Sequence, residues 1–329
     1  MTVLRAGLIG LGMMGKNHAR VLSSLKDVDF VGIYDPFYKD ISKSQNRLLH
    51  KSLDELLEKQ IDYAVVAVPT KFHLEIALTL AENGIHALIE KPVAHDSKSA
   101  REIEKAFHSK GLIGAVGHIE RFNPAIREAR KRLDLIGTLY QVSTRRQGPF
   151  PSRILDVGVV KDLATHDIDI TCWLTGQDYS SVSALTLFKS GRPSEDLISS
   201  TCTLTTGAIS NHLVNWLSPI KERKVILTGE RGSFEIDTLS VDLTFYKNGN
   251  FKNEWQDMAR FRGVSEGDIT RFAISRREPL LIEHEHFRDS LLGKSSEIVE
   301  LKEGTRVLEV AEAMLLSAEN MGEIQVVKR

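Results

Sequence analysis

Moving a proton off a hydroxyl group takes a base that titrates near neutrality and a charge to hold the oxygen. Two short stretches of this chain offer both. In KDLATHDID, His166 follows Asp162 by four residues, so on a helix the two side chains share a face. Histidine can accept the proton that an alcohol loses as its hydride leaves, and Asp162 can orient it or help to bind the hydroxyl. Lys91 precedes Pro92, which biases it toward extended angles at the end of the apolar run from His86. Each has a plainer reading, an i,i+4 polar pair on a wet helix face and a solvated lysine at a strand end. Asp167 and Asp169 read as structural. No Ser-His-Asp or Cys-His arrangement stands out, and there is no G-x-S-x-G. His284-Glu285-His286 is an H-x-H, but an i,i+2 pair diverges on a helix, so no metal site is expected.

The chemistry would need an electron acceptor, and the N-terminus supplies a place for one. The run from Ala6 to Ile9 reads as a buried strand that breaks into Gly10-Leu11-Gly12-Met13-Met14-Gly15 and continues with helical spacing to Leu22. In a G-x-G-x-x-G between strand and helix, Gly10 permits the tight turn, and Gly12 lets the backbone approach a pyrophosphate. Gly15 lets helix and strand pack closely, aiming the helix N–H groups, from Met13 and Met14 onward, at the phosphates. A second strand, Phe30 to Tyr34, ends at Asp35, about twenty residues past Gly15, where a carboxylate hydrogen-bonds the adenosine ribose. The cofactor expected is NAD, since Asp35 would repel the 2′-phosphate of NADP. Pro36, Phe37 and Tyr38 bring no arginine, although Lys39 is close. The same residues almost spell a P-loop, but Asn17 stands where Mg²⁺ needs a Ser or Thr hydroxyl.

Composition narrows the partners. Basic and acidic residues number 43 and 44, which gives no general pull toward nucleic acid or an anionic membrane. Arg145, Arg146 and Arg153 bracket a GPFP segment, with Lys221 and Arg223 further on. These are either surface ion pairs or a site for a phosphorylated substrate. Cys172 and Cys202 sit in apolar contexts without C-x-x-C spacing and read as free thiols in a reducing compartment. The first strand begins within a few residues of the start, and no apolar run reaches spanning length. A cytoplasmic protein is the expectation.

The elements that must position these groups fall into two sets, as a chain of 329 residues suggests. Up to residue 123, apolar strands alternate with helices of about a dozen residues, the cadence of a doubly wound parallel sheet of Rossmann type. Ligands of such sheets lie beyond the carboxyl ends of the strands, which singles out Pro69, Thr70, Glu90, Lys91, His118, Arg121 and Asn123. Residues 124–329 carry a run of strand-like stretches from Val182 to Tyr246 without long helices between them. They read as an α+β domain with a large, mostly antiparallel open sheet, closed by helices near Leu280–Leu292 and Thr305–Met321.

GLIGLGMMGKNH, AVPTKFH, EKP and the later Asp-x-x-x-His together resemble the Gfo/Idh/MocA oxidoreductases over essentially the whole chain. That resemblance implies oxidation or reduction of a carbohydrate carbon with NAD or NADP. It places Lys91, Asp162 and His166 as the catalytic set and His73 of AVPTKFH among the cofactor-binding residues. Ala164 stands where the family usually has glycine. GHIERFNPA, RRQGPFPSRILDVGVVKDLATHDIDI and NWLSPIKERK further resemble a branch of the family that oxidises UDP-sugars. The substrate-binding set this implies is His118, Arg121, Asn123, Arg146, Arg153, Asp162, His166 and Lys221. The family's open sheet usually joins subunits, so a homodimer or homotetramer is expected.

Overall fold

The computed structural model describes residues 3–37, 48–151, 157–249, 265–294 and 297–327. In chain order it begins with β1 (Leu4–Ile9), α1 (Met13–Leu22), β2 (Val28–Tyr34), β3 (Leu49–His50), α2 (Leu53–Leu57) and β4 (Tyr63–Val66). It continues through α3 (His73–Glu82), β5 (His86–Glu90), α4 (Ser97–Ser109), β6 (Gly114–Gly117), α5 (Pro124–Lys131) and β7 (Leu139–Pro149). Then come α6 (Thr165–Thr175), β8 (Tyr179–Leu187), β9 (Leu197–Leu204), β10 (Ile209–Asn215), β11 (Leu217–Gly229), β12 (Gly232–Asp237) and β13 (Asp242–Gly249). The last are β14 (Ser265–Arg271), α7 (Pro279–Leu291), α8 (Leu301–Glu319) and β15 (Gln325–Val326).

Two compact units emerge, one of Met1–Ile119 with Glu278–Glu309, the other of Glu120–Arg277 with Val310–Arg329. In the first, six parallel strands run in the order β3-β2-β1-β4-β5-β6. The order reverses between β1 and β4, so the crevice of a doubly wound sheet opens at the exit of β1. Every residue of β4 is buried, as in a strand covered on both faces. The short helix α2 begins at a capping box shifted by one residue. Glu55 N–H donates to Ser52 Oγ (3.2 Å), and the Glu55 carboxylate reaches back to Lys51 N–H (2.8 Å). Asp96 caps α4 through Ser99 N–H (2.8 Å), and Gly84 and Gly111, both at positive φ, close α3 and α4.

The first unit differs from the linear reading in two respects. Residues 120–123, expected in it, fall in the second unit. Residues after 123 were all expected in the second domain, yet Glu278–Glu309 return to the first. Phe287 of α7 packs edge-on against Tyr63 of β4, with ring centroids 5.4 Å apart. The start of α8 lies so close to β6 that a Cβ on Gly114 would meet Leu301, and one on Gly304 would meet Val116.

The second unit is built on nine strands in the order β14-β13-β12-β11-β7-β10-β9-β8-β15. All neighbours are antiparallel except β7 and β10. One face carries the buried residues of each strand, such as Val142, Ile198, Val214, Leu227, Phe234 and Leu243. The GPFP segment, expected to be irregular, begins inside β7. Residues 256–275 showed no clear pattern in the sequence; those that are described include β14. Among the described residues no helix is long and apolar enough to cross a membrane.

Candidate active site

In the first unit, the exit of β1 is shaped by two glycines that cannot carry a side chain. Gly10 has φ +97°, and a Cβ there would lie 2.5 Å from the Ala67 carbonyl oxygen. A Cβ on Gly15 would lie 2.1 Å from the carbonyl oxygen of Gly10. Gly12 is different, because a Cβ there meets nothing within 4 Å. It caps α1 without a side-chain hydrogen bond, and the first N–H groups of a helix have no partner inside it. A cavity of about 500 Å³ opens here, lined by Gly10, Gly12, Tyr34, Asp35, Pro69 and Phe72 among others. Asp35 is fixed at its wall. Oδ2 accepts from Leu11 N–H (2.6 Å) and Oδ1 from Phe37 N–H (2.8 Å). Open backbone at Gly12, free helix donors and a fixed carboxylate fit a dinucleotide.

Other residues expected at the cofactor are held by the backbone or by each other. The ring nitrogens of buried His73 lie 3.0 Å from the carbonyl oxygens of Val68 and Pro92, bracing the loops after β4 and β5. Burial pushes its imidazole below the usual range, with the two carbonyls and Glu90 opposing. Thr70 is buried beyond Pro69. Glu90 is buried at the end of β5, one residue before Lys91. His118, expected at the substrate, is buried just after β6.

In the second unit, Asp162 and His166 lie on one continuous helical stretch, but its first turn is wide. Val160–Ala164 form a π-helical turn that runs directly into α6. Such turns recur at functional sites because the extra residue re-aims a side chain. Asp162 is part of that turn, and both side chains are largely buried. The turn is anchored by Glu195, whose Oε1 accepts from Val160 N–H (2.9 Å) and whose carbonyl accepts from Val159 N–H (3.0 Å). Gly158 makes room for it, since a Cβ there would lie 2.1 Å from the carboxylate. Burial pushes the Glu195 carboxyl above its usual range.

The basic residues divide sharply. Arg146, expected at a substrate phosphate, is 2% exposed and ion-paired to Glu120 (2.8 Å) and Asp167 (3.0 Å). Burial disfavours its charge, but the two carboxylates outweigh burial and keep it protonated. Arg121 grips Asp169 with Nε and Nη2 at 2.6–3.0 Å, and Asn123 caps α5 while its amide donates to Thr238 O. These three thus have internal partners, and Asp167 and Asp169 hold α6 in place through them. Arg145 is half-exposed beside Glu222 (3.5 Å), and Lys221 is exposed on β11. Arg153 lies outside the described residues, as do Tyr38 and Lys39.

Two buried residues escaped the sequence reading, His18 and Glu195, and His284 was read only as half of an H-x-H. His18 had a signal, a histidine on the apolar face of α1, whose buried residues are Gly15, His18, Ala19, Val21 and Leu22. The other two reach their partners only through the tertiary fold. The H-x-H pair diverges, with His284 turned to His18 and His286 Nδ1 accepting from Glu297 N–H.

Fold and site together define an NAD-binding oxidoreductase. Residues 4–118 match the family profile described as the NAD-binding Rossmann fold of the Gfo/Idh/MocA oxidoreductases, and residues 136–326 match its C-terminal alpha/beta domain. The chain belongs to this family. It is 26% identical over 94% of its length to a UDP-N-acetylglucosamine 3-dehydrogenase of Acidithiobacillus ferrooxidans, covering 96% of that protein. A solved structure of that enzyme, GnnA, superposes with TM-score 0.82 at 25% identity, over 97% of this chain and 99% of the other. The scyllo-inositol 2-dehydrogenase (NAD(+)) of Bacillus subtilis is 29% identical over 55% of this chain and 56% of its own. A levoglucosan dehydrogenase in complex with NADH shares the fold at TM-score 0.84 and 19% identity, over 99% of each chain.

Two predictions follow from the geometry. Gly12→Ala should leave stability unchanged while weakening NAD binding by about tenfold or more, because its methyl would stand in the cavity that fits a dinucleotide. Gly15→Ala should lower the unfolding free energy by about 1–3 kcal/mol. Urea unfolding and NAD titration separate the two. Arg146→Ala strands the buried Asp167 carboxylate, leaves Glu120 to Arg223 alone (3.2 Å) and should cost about 3–5 kcal/mol, against less than about 1 kcal/mol for exposed Arg145→Ala. Equal losses in urea unfolding would overturn that assignment.

Proposed function

We propose that this enzyme oxidises C3 of UDP-N-acetylglucosamine to the 3-keto sugar. The observation that carries the reading is the likeness to GnnA over nearly the full length of both chains, in a protein that retains Lys91, Asp162 and His166. Bound NAD supplies the hydride acceptor. Lys91 donates a hydrogen bond from Nζ to the reacting hydroxyl and stabilises the charge that develops on its oxygen. His166 takes the hydroxyl proton on an imidazole nitrogen, and Asp162 orients it. Among the basic residues, exposed Lys221 and half-exposed Arg145, with Arg153, are those we assign to the diphosphate. Exposed Leu185, Leu187, Ile209, Ile226 and Tyr246 on the nine-stranded sheet support a homodimer or homotetramer, which light scattering checks.

A panel of UDP-hexoses, inositols and free sugars, followed at the absorbance band of reduced nicotinamide, tests the substrate. Turnover of UDP-N-acetylglucosamine with NAD is expected. The inositol dehydrogenases that match about half of the chain make an unphosphorylated polyol the second reading, and preferred turnover of an inositol would establish it instead. Absence of turnover on every compound would favour a non-catalytic, dinucleotide-sensing protein.

Lys91 and His166 are proposed to serve one proton transfer. Lys91→Met and His166→Asn should each lower kcat by about 10²-fold or more with little change in NAD affinity. The double variant should fall well short of the product of the two losses. Full multiplicativity in steady-state kinetics would remove the shared-oxygen mechanism.

A further inference from the structure

The helical stretch that bears Asp162 and His166 leaves α geometry at one place, and both ends of that place carry side chains that satisfy it. At the far end, Thr165 N–H reaches the Val160 carbonyl, five residues back. In an α-helix that N–H would belong to the carbonyl of Lys161, four residues back. The Lys161 carbonyl instead accepts from the Thr165 hydroxyl (3.0 Å). Thr165 is 0% exposed, so no solvent could stand in for this bond. The residue whose amide the wide turn draws away thus supplies a second donor from its own side chain.

At the near end, the partners come from outside the helix. The first N–H groups of a helix have none within it. Those of Val159 and Val160 go to the carbonyl and the carboxylate of Glu195, while Asp162 N–H donates to the Gly158 carbonyl (3.0 Å). Gly158 therefore serves twice, as the acceptor for Asp162 and as the space that Glu195 fills. Glu195 lies in the hairpin between β8 and β9, and the tip of that hairpin is tied down. Asp196 accepts from the N–H groups of Lys189 (2.7 Å) and Ser190 (2.8 Å) and from Ser190 Oγ (2.7 Å). Its carbonyl accepts from Trp216 N–H (2.9 Å), and Arg192 Nη2 donates to the Val157 carbonyl (3.4 Å). Glu195 is held in place before it meets the turn.

We propose that Glu195 and Thr165 are positioning residues of the proposed reaction, which hold the wide turn from its two ends and so set the direction in which Asp162 projects. Without the Glu195 carboxylate, the buried Val160 N–H loses its partner. Without the Thr165 hydroxyl, the Lys161 carbonyl loses one. Either loss is relieved when the turn rewinds toward α geometry, which swings Asp162 while Asp167 and Asp169 keep α6 in place. The inference rests on the reading of Asp162 as catalytic, but the construction of the turn can be tested without any substrate.

Three variants of the full-length protein test it. Glu195→Ala removes the acceptor, Glu195→Gln keeps a carbonyl oxygen for Val160 N–H, and Thr165→Val keeps the shape without the hydroxyl. In crystal structures the wide turn should persist in Glu195→Gln and rewind, turning Asp162, in the other two. A turn that stays wide in either of those overturns the proposal. With UDP-N-acetylglucosamine and NAD, Glu195→Ala and Thr165→Val should each lower kcat by about tenfold to a hundredfold, with Glu195→Gln within about threefold of wild type. Near-normal kcat in either, or a Glu195→Gln as slow as Glu195→Ala, overturns it too. In a protein already carrying Asp162→Asn, Glu195→Ala should change kcat by less than about twofold, because it acts through Asp162. Losses that multiply remove the positioning role. Should Glu195→Ala fail to fold, Thr165→Val takes its place in each comparison. If no sugar is turned over, the proposed reaction falls and the crystal structures still decide the turn.

Discussion

The closest approach in the first unit, that of α1 to the exit of β1, determines much of what surrounds it. A single methyl at Gly15 would collide with the Gly10 carbonyl, so helix and strand meet with no side chain between them. That contact fixes the rotation of α1 about its axis. Gly15, His18, Ala19 and Leu22 then face the core at i, i+3, i+4 and i+7, while Gly12 at the N-cap lines the cavity. The same rotation thus carries a histidine into the protein interior. A buried imidazole needs partners, and Glu90 and His284 supply them. Helix α1 and strand β5, whose end precedes Lys91, are joined by this polar contact.

Local signals made most of the first unit legible before any coordinates. The glycine turn, the capping residue Ser52 and the continuous apolar run at Tyr63 each act over a few residues, so sequence spacing reveals them. Asp35 was equally legible, and the structure places it on the cavity wall. The return of α7 was not. Its apolar residues announce a buried face but do not say which layer it covers, and only Tyr63 and His18 settle that it packs on the first unit. Glu195 was invisible for the same reason, since 35 residues separate it from the N–H group it caps. Arg146 shows a different limit. Alternation along β7 indicates that Arg145 and Arg146 point to opposite faces, but not which of the two faces meets buried carboxylates.

The second unit uses buried charge for orientation. Ion pairs taken out of water are weak sources of net stability, because desolvation offsets most of their attraction. Their geometry is nevertheless strict, and two of them grip a single turn of the helical stretch that bears His166. Asp167 is held from β7 through Arg146, and Asp169 from the segment before α5 through Arg121. Apolar packing alone would allow this helix to rotate or slide, since nearly all of its residues are buried and no single face is apolar. The Arg121 fork on Asp169 and the Arg146 hydrogen bond to Asp167 oppose both motions.

With the helix fixed beyond His166, only its first turn remains to be placed, and there the backbone departs from α geometry. Glu195 caps Val160 where Gly158 leaves room, and the π-helical turn lets the chain take up an additional residue before α6 begins. In a wider turn the angle between residues four apart is smaller than in an α-helix, so Asp162 swings relative to His166 without disturbing Asp167 or Asp169. A regular helix with the same anchors would offer one orientation of Asp162; the wide turn makes that orientation independent of the ion pairs. The pair that sequence spacing suggested therefore owes its arrangement to two restraints, a charged clamp on the side of His166 and a capped, widened turn on the side of Asp162.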